Sequence, residues 1–250
     1  MPEHISHTQI AMLLRCGEEY RRTYVEGQPR PLAPALIVGQ VYHKTIEFGF
    51  NARLTDGTEL SVPEIRQVAQ DGWAMAVAGQ EIAWDGEKPE VLRDQVATLA
   101  ALYWEQVAVA IQPMAVEVRF EVDVPEVDVP LVGIIDLVDG ETLVDHKTAS
   151  RAWSQSRADR DLQAAAYLYA HWRQTGEPVS QFRFDVAVKS GKPRIQQLAT
   201  SRTEQQLRWY EQLLQAAWGQ IQAGVFVPNP TAWNCSARYC PFWSDCQGQV

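Results

Sequence analysis

Two aspartates and a lysine in the stretch 131–149 could carry out metal-assisted chemistry. Asp136 interrupts an otherwise apolar run, and Asp145 and Lys147 lie two residues apart on the next run, where a β-strand would point both side chains to one face. Two nearby carboxylates repel each other, and a divalent cation relieves that repulsion. Oxygen ligands favour Mg²⁺ or Mn²⁺ over zinc. Lys147 could then position a water or stabilise a developing oxyanion beside a phosphate.

The turn between the two runs decides whether the three side chains meet. A turn at 140–141 sets Asp136 opposite Asp145, and a turn at 139–140 sets it diagonal to Asp145. Both two-residue turns put the three side chains on one face, whereas a three-residue turn would not. The triplet alone is also compatible with a surface hairpin that carries a cross-strand salt bridge, because D-x-K is short and common.

The elements around this hairpin follow from hydrophobic periodicity. Helices are predicted after Ser6, over 38–50, after the capping box of Ser61 and Glu64, over about 89–111, over 160–174 and after Thr203. Strict alternation predicts a strand with Val116, Val118, Phe120 and Val122 on one face, and a second hairpin follows at 181–200. The polar segment 150–161 is predicted to be a mobile loop over the site. This order predicts an α/β fold with a mixed sheet between helices.

Length and composition predict one folded unit. The chain has 250 residues, 46% hydrophobic and 21% charged, which is typical of globular proteins. We expect a single domain over 1–250, with a helical part at 5–112, a catalytic core at 113–200 and a C-terminal helix and cysteine tail at 201–250. No apolar run reaches the roughly 20 residues of a membrane span, and the first residues lack the basic segment of an export signal. A soluble, cytoplasmic protein is therefore expected.

Several short motifs together resemble one enzyme family. Gly133-x-x-Asp136 followed by Asp145-His146-Lys147 resembles the core of the PD-(D/E)xK nuclease superfamily, specifically its RecB-like branch. Three further segments resemble motifs of that branch over roughly 5–246: the opening ISHTQIAMLLRCGEEYRRTYV, the helical Gly39-x-x-x-His43 and the helical Gln163-x-x-x-Tyr167. The resemblance implies a restriction-endonuclease-like fold, although the proline often found before the first acid is replaced by isoleucine.

The resemblance also implies roles for these residues. Asp136 and Asp145 would bind Mg²⁺ or Mn²⁺ with help from His43 and from the backbone carbonyl of His146, and Lys147 would position the attacking water. Gln163 and Tyr167 would support substrate or active-site geometry. Taken singly, a histidine such as His43 on an amphipathic helix is more often a packed or surface residue than a ligand, and Gln163 and Tyr167 alone would be an ordinary helix face. Glu117 could join the site, but the neighbouring acids Glu121 and Asp123 favour a solvated strand face.

The four cysteines are distributed unevenly. Cys16 stands alone near the start, and Cys235, Cys240 and Cys246 follow in NCSARYCPFWSDC. Four thiolates suit zinc or an iron–sulfur cluster, and the paired C-x2-C knuckles of a zinc ribbon are missing. CRISPR-associated RecB-like exonucleases and AddB-type nuclease domains have one cysteine before the core and three after it. The resemblance therefore implies a [4Fe–4S] cluster in an iron–sulfur subdomain, with zinc or four free thiols as alternatives.

The charge distribution predicts where DNA would lie. The net charge is −9, but residues 151–200 carry eight basic and four acidic residues directly after Lys147. Basic residues at such a position contact phosphates without reading sequence, and exposed tryptophans can stack on bases. The candidate DNA contacts are Arg151, Arg157, Arg160 and Trp153, with Trp233 as a further stacking candidate.

The resemblance implies a metal-dependent DNA nuclease, acting as an exonuclease on single strands or DNA ends in recombination, repair or CRISPR adaptation. The chain has no phosphate-binding G-x-x-x-x-G-K-[ST] loop, so unwinding would need a helicase partner; a CRISPR adaptation complex is a second candidate partner. Two alternatives stay open. One is a catalytically silent DNA-end or protein-binding module of the same fold, against which the intact triplet argues, and the other is a zinc-stabilised interaction domain.

Overall fold

The computed structural model describes residues 2–177 and 181–247, and a five-stranded sheet lies at its centre. The strands run in the spatial order β1 to β5, and only β3 and β4 pair in parallel. A helical crossover joins these two, as parallel neighbours require. The bounds are β1 Pro113–Val122, β2 Leu131–Asp139, β3 Thr142–Ala149, β4 Gln181–Val188 and β5 Arg194–Thr200.

Helices cover both faces of the sheet. The helices are α1 His7–Arg15, α2 Gly17–Tyr20, α3 Pro34–Asp56, α4 Val62–Val77, α5 Pro89–Gln106, α6 Gln155–Arg160, α7 Leu162–Thr175, α8 Glu204–Gln222 and α9 Trp243–Cys246. One buried hydrophobic cluster packs α3, α4 and α5 against one face, and a second packs α1, α7 and α8 against the other. This arrangement confirms the predicted α/β fold with a mixed sheet between helices.

The predicted helix starts agree with the observed caps. Ser6 accepts a hydrogen bond from the backbone of Gln9, and capping boxes begin α4 at Ser61 and α8 at Thr203. Each cap satisfies backbone N–H groups that the first helical turn leaves without partners. Helix α5 ends at Gln106, before the predicted residue 111, and a 3₁₀ turn at Ala108–Ala110 follows it. No helix of the described part of the chain is both long and apolar enough to cross a membrane.

The hairpin of β2 and β3 closes on Gly140 and Glu141. Asp139 pairs with Thr142, and Gly140 has φ +57°, a conformation that glycine adopts without steric cost. Continuing this register sets Asp136 opposite Asp145, the first of the two predicted alternatives. The described pairing ends at Leu137 and Val144, so the two strands separate where the acidic residues lie.

Strand β1 corrects one expectation. Val118, Phe120 and Val122 pack on the α7 side of the sheet, but Val116 packs on the α5 side. The alternation changes phase at Glu117, whose φ of +52° is rare for a residue with a side chain. The prediction that all four apolar residues share a face is therefore wrong for Val116.

The segment expected to be a mobile loop at 150–161 contains helix α6. Ser154 caps this helix by accepting a hydrogen bond from the backbone of Arg157. Trp153 is buried against Phe184, with ring centroids 5.2 Å apart. Two bonds between the Trp153 backbone and the Gln196 side chain, of 2.9 and 2.8 Å, tie the segment to β5. The polar composition of the segment reflects its exposed outer side, and its single tryptophan anchors it.

Candidate active site

Asp136 lies where β2 separates from β3 and is held by two neighbouring histidines. Its Oδ2 atom accepts a 2.7 Å hydrogen bond from the backbone N–H of His146 and lies 3.2 Å from Nδ1 of His43 on α3. Burial opposes the negative charge of Asp136, but His43, His146 and Lys147 outweigh it and hold the pKa well below its usual range. Burial likewise opposes a positive charge on His43, but the facing Asp136 outweighs burial and raises the pKa of His43. Asp136 is therefore a permanent anion at this site.

Asp145 is buried on the opposite side of the same gap, with three side chains around it. Its Oδ2 atom lies 2.6 Å from Nζ of Lys147, and its Oδ1 atom accepts a hydrogen bond from Nε2 of Gln163. Gln163 also donates a 2.9 Å hydrogen bond to the hydroxyl of Tyr167 one turn along α7. Burial raises the pKa of Asp145 to about 7, despite Lys147. The structure thus brings together the predicted residues of the strand motif and the Gln-x-x-x-Tyr motif.

His146 points to the other face of the sheet, as its position between Asp145 and Lys147 requires. Its Nε2 atom lies 3.0 Å from the hydroxyl of Tyr103, which donates its own proton to Oδ2 of Asp185 at 3.0 Å. Since that hydroxyl has one proton, it must accept from Nε2–H of His146. Burial lowers the pKa of His146 to about 4, so the ring is neutral at pH 7 with an unprotonated Nδ1, 3.7 Å from Oδ2 of Asp136.

The hydroxyl of Tyr103 should contribute measurably to stability. We expect Tyr103→Phe to lower the free energy of unfolding by about 1–3 kcal/mol, because it leaves two buried polar partners with one bond fewer. Tyr210→Phe is the matched control, since that equally buried hydroxyl has no partner among the described residues, and its loss should be nearly neutral. Urea denaturation of both variants measures the difference, and equal effects would contradict the assigned network.

Two residues that the motifs did not single out also face the site. His7, at the first turn of α1, lies beside Tyr167 with ring centroids 5.9 Å apart, and burial followed by the charge of Lys147 lowers its pKa to about 3. Glu117 lines the same cavity as Asp136 and His43, and burial followed by Glu47 raises its pKa. The expectation that Glu117 lies on a solvated strand face is corrected, because the phase change in β1 turns it inward.

This arrangement can be compared with known proteins. The family model of the PD-(D/E)XK nuclease superfamily matches residues 4–247. The chain belongs to the PD-(D/E)XK nuclease superfamily. A crystal structure from Eubacterium rectale named "Putative exonuclease" is similar to this chain at 14% identity and a TM-score of 0.60, covering 93% of this chain and 87% of that one. At that identity the likeness shows the fold. Among curated proteins, none matches.

PD-(D/E)XK nucleases generally use divalent metals such as Mg²⁺, and the residues present fit such an ion. The Oδ2 atom of Asp145 is buried, and its one polar contact among the described residues is the ion pair with Nζ of Lys147 at 2.6 Å, which leaves a lone pair of this oxygen for a cation. Asp136 faces Asp145 across the gap between β2 and β3. Within the described ranges, no three His, Cys, Asp or Glu side chains are grouped as ligands of one ion. Two carboxylates and a strand carbonyl would suffice for a hard cation that keeps several waters.

The cysteines of this PD-(D/E)XK nuclease meet at the far end of α1. Cys16, Cys235, Cys240 and Cys246 all line one cavity of about 20 Å³, and Cys246 is exposed. Burial and the neighbouring cysteines raise the pKa of Cys235. Backbone N–H of Asn229 approaches the sulfur of Cys16 at 3.5 Å. Cys16 and the three later cysteines therefore line one common cavity, but within the described residues no three of them are grouped as ligands of one ion.

The candidate DNA contacts are three accessible arginines and one buried tryptophan. Arg157 and Arg160 line a groove of about 610 Å³ that also includes His7 and Gln163 of the site, while Arg151 is exposed nearby. Trp153 is only 6% exposed, and the guanidinium of Arg157 lies 3.8 Å above its ring. A buried ring in this position has no free face for a base. The prediction that Trp153 stacks on DNA is corrected, and its observed contact holds Arg157 in the groove.

Proposed function

We propose that this chain is a divalent-metal-dependent DNA nuclease of the RecB-like branch, hydrolysing phosphodiester bonds as an exonuclease on single strands or DNA ends. The observation that carries the proposal is the buried Asp145, held between Lys147 and Gln163 and facing Asp136 across two separated strands. A surface salt bridge would not need such burial. Recombination, repair or CRISPR adaptation in the cytoplasm is the corresponding setting, with a helicase or adaptation complex as partner.

Each residue has a part in the proposed reaction. Asp136, Asp145 and the carbonyl of His146 would hold the Mg²⁺ or Mn²⁺, with His43 beside Asp136. The carbonyl is a suitable ligand because N–H and C=O of one strand residue point to the same side, and the N–H of His146 points to Asp136. A bound divalent ion would lower the pKa of a water and offset phosphate charge. Lys147 would position that water, while Gln163 and Tyr167 fix the orientation of Asp145.

A nuclease assay tests the proposal directly. End-labelled single- and double-stranded DNA are incubated with the protein in Mg²⁺, in Mn²⁺ and in EDTA. Cleavage in either metal that stops in EDTA supports the proposal, and mononucleotide release from one end supports exonuclease action. Tight DNA binding without cleavage under every condition would favour a catalytically silent end-binding module instead.

The arginine groove is proposed to bind the DNA backbone. We expect the double variant Arg157→Gln and Arg160→Gln to weaken single-strand binding for all sequences and to reduce the salt dependence by about 0.7 per lost phosphate contact. Fluorescence anisotropy in EDTA over a range of salt concentrations measures this. Arg208→Gln on α8, whose guanidinium pairs with Glu204, is the matched control. An unchanged slope in the double variant would remove the groove from the proposed DNA path.

The four cysteines are proposed to bind an iron–sulfur cluster, with zinc as the alternative. The support is their convergence on one cavity from opposite ends of the chain and the N–H contacts to two of the sulfurs, from Asn229 to Cys16 and from Gln247 to Cys235, both at 3.5 Å. Thiolates that ligate a cluster accept such bonds. The cluster would serve the fold by tying the tail to α1.

A further inference from the structure

The candidate site separates two cavities of different chemistry. The arginine groove lies on one side and includes Gln163, which contacts Asp145. The second, which we name the α3 cavity, has a volume of about 690 Å³ and includes Asp136 and His43. His7 lines both. A substrate that crosses the two carboxylates would therefore extend into both cavities.

The α3 cavity is suited to an apolar group. Leu36 on α3 and Ile134 on β2 line it and are 49% and 45% exposed, so part of their apolar surface has no protein partner. The two cations that line it with them are paired with acids, Lys44 with Glu117 and Arg119 with Glu121. In the arginine groove, which Asp161 also lines, Arg157 lies over a tryptophan ring and Arg160 bonds the hydroxyl of Ser156. Neither arginine forms an ion pair among the described residues, so both charges can meet a phosphate.

Gly39 is the glycine of helix α3 that lines the α3 cavity. Glycine inside a helix is destabilising relative to alanine. Gly49 in the same helix has a packing reason, because an added Cβ would lie 2.5 Å from the ring of Trp104. At Gly39 an added Cβ would meet only the hydroxyl of Thr148, at 3.9 Å. Packing therefore does not require glycine at residue 39, just as it does not at Gly219 in α8. Gly39 differs in that it lines the α3 cavity, where a side chain would take up space.

Resting on the proposed nuclease function, we propose that the α3 cavity binds the nucleoside next to the scissile phosphate, with Leu36 and Ile134 against its base and Gly39 leaving room for it. The strand then runs with its phosphates in the arginine groove, passes the carboxylates and places one nucleoside in the cavity. A base must leave its stack to enter, so single-stranded DNA is the substrate class that this path accepts at least cost.

Filling the cavity tests the proposal. Gly39→Leu places a side chain of high helix propensity in the cavity, and Gly219→Leu is the matched control, because Gly219 lies inside α8 with nothing within 4 Å of an added Cβ. Circular dichroism melting of both variants checks that they fold. The substrate is an end-labelled single strand with one abasic residue among normal nucleotides, cleaved in Mn²⁺ and resolved bond by bond.

Wild type and Gly219→Leu should cleave normal bonds readily and slow down at one bond beside the abasic residue, because the cavity loses the base contact. Gly39→Leu should lose about tenfold or more on normal bonds and cleave the bond beside the abasic residue fastest, because the missing base relieves the clash. Equal loss at every bond, or no loss, in Gly39→Leu would overturn the nucleoside site alone. No cleavage by the wild type would overturn the nuclease function and this inference with it.

Discussion

Lys147→Met should reduce DNA cleavage by about 10²–10³-fold, the loss typical of removing one group that stabilises developing charge. Lys147 places Nζ 2.6 Å from Asp145 while its side chain remains partly exposed. No other lysine of the described residues lies in an ion pair with either of the two site aspartates. Single-turnover cleavage of end-labelled DNA in saturating Mn²⁺ measures the effect on the chemical step.

The same variant must be shown to fold. Breaking a buried ion pair costs about 3–5 kcal/mol when the remaining charge stays ionised. Burial raises the pKa of Asp145 to about 7 and Lys147 lowers it, so Asp145 should take up a proton once the lysine is gone and much of that cost should be avoided. The double variant Asp145→Asn, Lys147→Met removes both charges and should melt close to the wild type.

A matched lysine separates a local effect from a general one. Lys88, exposed at the start of α5, is replaced in Lys88→Met, which should cleave at the wild-type rate. Wild-type cleavage by a folded Lys147→Met protein would refute the assignment of the site. Loss of activity in Lys88→Met as well would mean that the assay reports overall charge rather than position.

The site residues that the sequence could predict are those positioned by local geometry. Alternation along β3 places Asp145 and Lys147 on one face, a two-residue turn places Asp136 opposite them, and helix periodicity brings Gln163 under Tyr167. These relations depend on neighbours within a few residues. They are therefore set by the periods of strand and helix and by turn chemistry.

The residues that were missed, Tyr103 and His7, and those that were placed wrongly, Glu117 and Trp153, depend on tertiary contacts and local backbone conformation. Tyr103 reaches Asp185, 82 positions later in the chain, and His7 meets the site only because α1 packs on α7. Glu117 turns inward through a positive φ that is unusual for glutamate, so no propensity would predict it. Trp153 is buried within a polar segment because α6 packs on β5 and the Trp153 ring on Phe184 of β4, which composition does not reveal.

Replacing a single cysteine by serine should have the second large effect, on stability. The proposed group held by Cys16 and the three C-terminal cysteines would join segments more than two hundred residues apart. A cross-link over that distance contributes about 5 kcal/mol through the entropy of the unfolded chain, which is comparable to the whole stability of many domains. Cys16→Ser should therefore lower the melting temperature sharply and expose the tail at 223–247 to protease.

Ser236→Ala is the matched control, because Ser236 lies between two of the cysteines in sequence and should change neither property. Other contacts also hold the tail: Asn234 donates a 2.9 Å bond to the buried Glu19, and Gly17 donates one of 2.9 Å to Val227. If these contacts alone sufficed, Cys16→Ser would melt like the wild type.

Protein purified without oxygen should be brown and contain about four irons per chain. A colourless protein with one zinc per chain would show a zinc site in place of the cluster. A protein that contains neither iron nor zinc would show that the four cysteines are free thiols.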